Sequence, residues 1–206
     1  MAESGRESLQ RAQRLRDRTL ALVTGLSQME LDYAPAPKTW SVGEILDHLI
    51  LSDQVYYREI KALFDLKREG KPTYLRRRFS DFNPSVFFLP KSALPYLDES
   101  FRLVNLVLPR SLRTFFVLSR LVPTDAPDIA KPRPGRSGDA IRQELAAGPV
   151  ALSDLFVGEP EADFNQFIHY HPLLGENNLY QLLVFLTNHE TVHQRQIEDT
   201  LPKIKR

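Results

Sequence analysis

Fifteen prolines punctuate this 206-residue chain, and they are unevenly spread. A proline inside an α-helix removes a hydrogen bond and clashes with the preceding turn, at a cost of about 3 kcal/mol or more. None falls in Met1 to Ala34, Lys38 to Lys71 or Leu173 to Leu201, so long helices fit in those three windows. In the first, Leu9, Ala12, Leu15, Thr19, Leu22, Val23 and Leu26 recur at three- and four-residue spacing with arginines between them, which predicts one amphipathic helix. Pro35-Ala36-Pro37 ends it.

Ser41 and Glu44 then stand at capping-box spacing before an apolar run, so a second helix is expected from Ser41 to near Gly70. Its stripe is Val42, Ile45, Leu46, Leu49, Tyr56, Ile60 and Phe64, with His48 on the flank. From Lys71 to Leu94, Pro72, Pro84 and Pro90 predict an irregular crossover carrying the basic run Arg76-Arg77-Arg78. A third helical block runs from Pro95 to about Leu121, kinked or split at Pro109. Val122 to Gly138 is a Pro-rich loop, and Asp139 to Phe156 reads as helix despite Gly148-Pro149. His169 to Gly175 reads as a turn with an exposed His169, and Asn177 or Asn178 is placed to cap the last helix. Strand signals are weak, with Phe82 to Leu89 the one extended candidate. The expectation is an all-α, single-domain four-helix bundle with a long crossover, a fold that builds cofactor sites from side chains on facing helices.

The last window contains Asn188-His189-Glu190-Thr191-Val192-His193. Residues i and i+4 lie one turn apart on the same helix face, so both imidazoles can reach one ion. At about 100° per residue, His189 and His193 share a stripe with Leu182, Phe185, Leu186, Val192, Gln196 and Ile197. Ring nitrogens facing an apolar core need partners, which a metal or hydrogen bonds can supply. The string matches the H-E-x-x-H pattern of zinc peptidases, where the glutamate is a general base, and Glu190 is the candidate for that role. A solvent-facing carboxylate is the plainer reading of Glu190. Such peptidases take their third ligand further along, and only 13 residues follow His193. An upstream ligand is expected instead, and His48 is the remaining histidine set within a long helix. His171 and Gln196 are candidates to line the site or orient its ligands, with turn formation and packing as their alternatives. Trp40 and Tyr56 read as core.

Charge and cysteine content narrow the function classes. With 27 Lys+Arg against 26 Asp+Glu, a net +1 provides no pull toward nucleic acid or an anionic membrane. The cluster of Lys67, Arg68, Lys71 and Arg76 to Arg78 reads as solvated surface. The absence of cysteine excludes disulfides, thiolate ligands and a cysteine nucleophile, and fits a reducing compartment. Glu3, Glu7 and Asp17 among the N-terminal arginines are unlike a signal peptide, and no apolar run nears the roughly 20 residues of a membrane span. A cytoplasmic location is expected.

Three motifs occur in order: Thr39-Trp40-Ser41-Val42-Gly43-Glu44-Ile45-Leu46-Asp47-His48-Leu49, His171-Pro172-Leu173-Leu174-Gly175, and His189-Glu190-x-x-His193-x-x-Gln196-Ile197. Together they resemble the DinB/YfiT-like superfamily, while Tyr74 to Phe156 matches only as generic helix. The resemblance implies a four-helix bundle, frequently a homodimer, with Zn²⁺ or Ni²⁺ on histidines matching His48, His189 and His193. It also implies a small-molecule substrate and use of the metal to activate a low-molecular-weight thiol or water for transfer or hydrolysis. A non-catalytic metal- or ligand-binding bundle is the alternative.

Overall fold

The computed structural model describes residues 5–82, 92, 94–119, 126–157 and 161–204. Four long helices dominate them: α1 (Gly5–Val23), α3 (Val42–Arg68), α7 (Gly138–Leu155) and α8 (Leu179–Thr200). Helix α1 packs on α7 and α8, and α3 packs on the same two, so α1 and α3 sit diagonally in a four-helix bundle. None of the described helices is long and apolar enough to cross a membrane.

The helix ends follow local chemistry. Ser41 caps α3 through the Glu44 amide while the Glu44 carboxylate accepts from the Ser41 amide, the reciprocal box predicted from the sequence. Asn178 and Gln181 form the same device at the start of α8. The first window is not one helix: α1 stops at Val23, and Gly25 turns the chain at φ +80° into the short α2 (Gln28–Leu31), capped by Ser27 and Glu30.

Two apolar clusters run along the bundle. One joins Leu46 and Leu49 to Ile141, Leu145 and Ile197, and the other joins Ile60 and Phe64 to Leu152, Phe167 and Leu183. Between them in sequence on α3 and α8 lie Asp53 and Glu190, and both carboxylates meet Arg16 of α1. Its Nε donates to Glu190 Oε1 at 2.8 Å, and its Nη2 donates to Asp53 Oδ2 at 2.8 Å. One of the arginines set between the apolar positions of the first helix is thus inside the molecule, 3% exposed. Pro149 explains part of its position. With no N–H, Pro149 leaves the Leu145 carbonyl without its helical donor, and Arg16 Nη1 donates to that carbonyl at 3.0 Å. Gly148 makes room, because a Cβ there would stand 3.0 Å from Arg16 Nη1 and 3.3 Å from an Asp53 oxygen.

Between α3 and α7 the described residues hold short elements in the stretch expected to be irregular, followed by the expected helical block. These are β1 (Tyr74–Arg76) and the short α4 (Phe79–Phe82), then a pair of helices, α5 (Leu94–Val107) and α6 (Arg110–Leu118), divided at Pro109 as predicted. The extended candidate Phe82 to Leu89 ends α4 at Phe82 and otherwise lies outside the described residues. The stretch expected as a turn before α8 is a hairpin of β2 (Ile168–His171) and β3 (Gly175–Asn178), and β1 adds to β2 in parallel. Gly175 turns the hairpin at φ +71° with the Arg113 guanidinium against its Cα, so any side chain there is both strained and crowded. Alternation along β2 turns His169 toward α3 and Tyr170 toward α5, where the Asn105 amide meets the Tyr170 hydroxyl at 3.3 Å. His169 is therefore buried, 1% exposed, with Nε2 3.5 Å from Glu59; the exposed position expected for it is corrected.

The predicted basic cluster is largely neutralised in place. Arg68 pairs with Asp65, Lys71 with Glu69, Arg76 with Glu99, and Arg77 with Glu59.

Candidate metal centre

His48 comes from the second turn of α3, and His189 and His193 from successive turns of α8. Their Nε2 atoms converge: His48 Nε2 lies 3.2 Å, and His193 Nε2 3.1 Å, from His189 Nε2. Together the three imidazoles form a group able to hold a metal ion. Zn–N bonds of 2.0–2.1 Å at tetrahedral angles would separate ligand nitrogens by roughly 3.3 Å, so these spacings, which also suit direct hydrogen bonds between the rings, are close to those that one ion would require.

The far side of each outer ring fixes which nitrogen points inward. His48 Nδ1 lies 2.7 Å from the Ala130 carbonyl, which can only accept, so Nδ1 carries the proton and Nε2 presents a lone pair. His193 Nδ1 lies 2.8 Å from Gln196 Oε1 and is fixed in the same sense. Burial, then the neighbouring His193 and His48 rings, push His189 well below the ordinary histidine range, so it too stays neutral. Three neutral imidazoles aimed at one point make an electron-rich site suited to a cation of borderline softness.

Aromatic rings hold the imidazoles in place. Trp40, half-buried, packs against His48 at 4.8 Å between ring centroids, and Phe185 stacks on His189 at 6.0 Å and 17°. Beside the histidines is a cavity of about 220 Å³, lined by Trp40 and Tyr56 and, from α6, by Val117 and Leu118. Trp40 and Tyr56, expected in the core, are thus cavity wall. His171 also lines the cavity, and its Nδ1 accepts the Leu173 N–H at 3.1 Å, so it serves the turn as well. Burial and the nearby His169 push His171 down to about 3.

Glu190 is elsewhere. One residue on from His189 is 100° around the axis, and there Glu190 faces α1. It accepts from Arg16 Nε and from the Thr19 hydroxyl at 2.6 Å, 6% exposed. It is neither solvent-facing nor among the residues lining the cavity, so the general-base role suggested by the H-E-x-x-H string has no geometric support.

The Ala130 carbonyl had no sequence signal. It belongs to a 3₁₀ turn, Asp128–Ala130, tied down by the following segment. The Arg133 amide and guanidinium donate to buried Asp47 at 2.8 and 2.7 Å, and Arg136 donates to it at 2.6 Å. Asp47 adjoins His48 on α3, so the same helix turn that carries the ligand candidate also anchors the loop that orients it.

Curated proteins include no match to this sequence. A family model described as the DinB superfamily matches residues 11–197, which takes in all three motifs and all three converging histidines; the chain belongs to the DinB superfamily.

Proposed function

We propose that this protein is a metal-dependent transferase or hydrolase in which His48, His189 and His193 hold one Zn²⁺ or Ni²⁺ ion and the site activates a thiol or water. The convergence of three Nε2 atoms, two of them fixed by hydrogen bonds at Nδ1, carries this reading. When bound, such an ion supplies Lewis acidity, bringing a thiol or water toward its anionic form near neutral pH. Three protein ligands leave coordination room for a reactant, which favours chemistry over a purely structural role.

The chain's own residues position and shield. Ala130 and Gln196 fix the outer imidazoles, and Trp40 and Phe185 hold ring planes. Val117, Leu118 and Tyr56 keep the adjoining cavity apolar, which strengthens any electrostatic interaction within it. Ser52 and His171 supply polar atoms on the cavity wall. Action in the cytoplasm as a homodimer belongs to the same proposal, and sedimentation of the purified protein decides the dimer.

The test is turnover. Protein reconstituted with Zn²⁺ or Ni²⁺ is screened with thiol and electrophile pairs and with hydrolysable esters and amides. His48→Ala should abolish metal-dependent turnover while circular dichroism stays helical. Full turnover in that variant would overturn the proposal.

A further inference from the structure

The cavity beside the histidines restricts what can react there. None of the described residues lining it is Lys, Arg, Asp or Glu. Among the described residues its walls are Val55, Val117, Leu118, Ile129, Leu173 and Val192 together with aromatic rings, and the polar atoms they give it come from neutral groups such as Ser52, Gln196 and His171. Two arginines of α6 are engaged with other groups: Arg110 donates to Asn177 at 3.0 Å and Arg113 to the Asn105 carbonyl at 2.8 Å. Away from the three histidines and any ion they hold, a charged group enclosed here meets no counter-charge from the described lining residues and loses its hydration with nothing to replace it. Volume indicates how much of a ligand fits inside: an apolar cavity of about 150 Å³ holds benzene, and this one, open on one side, is about 220 Å³.

We propose that this cavity takes an uncharged, largely apolar small molecule about the size of a substituted benzene ring, and rejects substrates charged on the part it holds away from the three histidines. The inference rests on the site of the proposed function and names its substrate class. A thiol bearing several charges would keep them outside the cavity, and the enclosed reactant is the neutral electrophile or the neutral acyl compound.

Trp40 is the only tryptophan of the chain and stands on the cavity wall, so its fluorescence reports occupancy. The full chain, stripped of metal with EDTA, is titrated at pH 7 with benzyl alcohol, benzoate and benzylamine. Benzyl alcohol should change the fluorescence saturably, and at least tenfold more tightly than either charged isostere. Equal affinity for benzoate or benzylamine, or no saturable response to benzyl alcohol, would overturn the inference. Val117→Arg, at a half-buried position on α6, should raise benzoate affinity at least fivefold; unchanged selectivity there would also overturn it. Because these titrations need no metal, a protein that shows the selectivity yet takes up neither Zn²⁺ nor Ni²⁺ sinks the proposed function and leaves this inference standing.

Discussion

Replacing Arg16 by Met separates the structural role of Glu190 from a catalytic one. The side chain is buried, and its loss removes hydrogen bonds to both Glu190 oxygens at 2.8 and 3.2 Å, to Asp53 at 2.8 Å and to the Leu145 carbonyl at 3.0 Å. Breaking a buried ion pair from one side costs about 3–5 kcal/mol, because a carboxylate stays behind uncompensated. For a chain of this length that is a fall in Tm of roughly 6–20 °C. The deficit should depend on pH in a definite direction. Burial already raises the Asp53 carboxyl above its usual range, and the Arg16 charge opposes that rise. Without Arg16 the folded-state pKa climbs further above the unfolded value of about 4. A group shifted in that sense favours the fold at low pH and costs stability as pH rises through the folded pKa. Urea unfolding of Arg16→Met should therefore show its largest deficit near pH 8 and a smaller one near pH 5, with metal stoichiometry unchanged at both. A loss under 1 kcal/mol, a pH-independent loss, or loss of the bound metal would refute this account of the network.

Asp47→Asn should flatten the acid limb of the stability curve. Burial works against the Asp47 charge, but hydrogen bonds from Arg133 and Arg136 outweigh it and hold the carboxyl below its usual range. Its stabilisation is present above about pH 4 and lost as pH falls through the folded pKa, so wild type and variant should converge in acid unfolding below pH 4. Gln196→Ala removes the acceptor at His193 Nδ1 and should weaken metal affinity about 10–100-fold, read by competition with a chelator, without unfolding the protein. The His171 ring, pushed down to about 3, should show no NMR titration between pH 8 and pH 5, and a midpoint near 6.5 would contradict its burial beside His169.

The centre was legible where helix geometry dictated it. His189 and His193 share a face because of i, i+4 spacing, and Ser41-x-x-Glu44 set the register that turns His48 inward. What could not be read from the sequence depends on contacts distant along the chain. Arg16 looks like any solvated arginine between apolar positions until α7 and α8 close on it and Pro149 frees the Leu145 carbonyl. Glu190 was misplaced because α8 is buried on two flanks, against α1 as well as α3, whereas a single apolar stripe implies one. The strands are three or four residues long, and β3 reads Gly-Glu-Asn-Asn, with no apolar alternation to reveal it. His169 is buried because that sheet exists. Ala130 contributes a backbone carbonyl, which no residue type can announce.

The measurement closest to the central claim is the metal content of tag-free protein purified without added metal, by plasma emission, for wild type and His189→Ala. About one tightly held Zn²⁺ or Ni²⁺ per wild-type chain, lost in a variant that remains folded, is the predicted result. A folded wild type that carries no metal and refuses added Zn²⁺ and Ni²⁺ would contradict the claim.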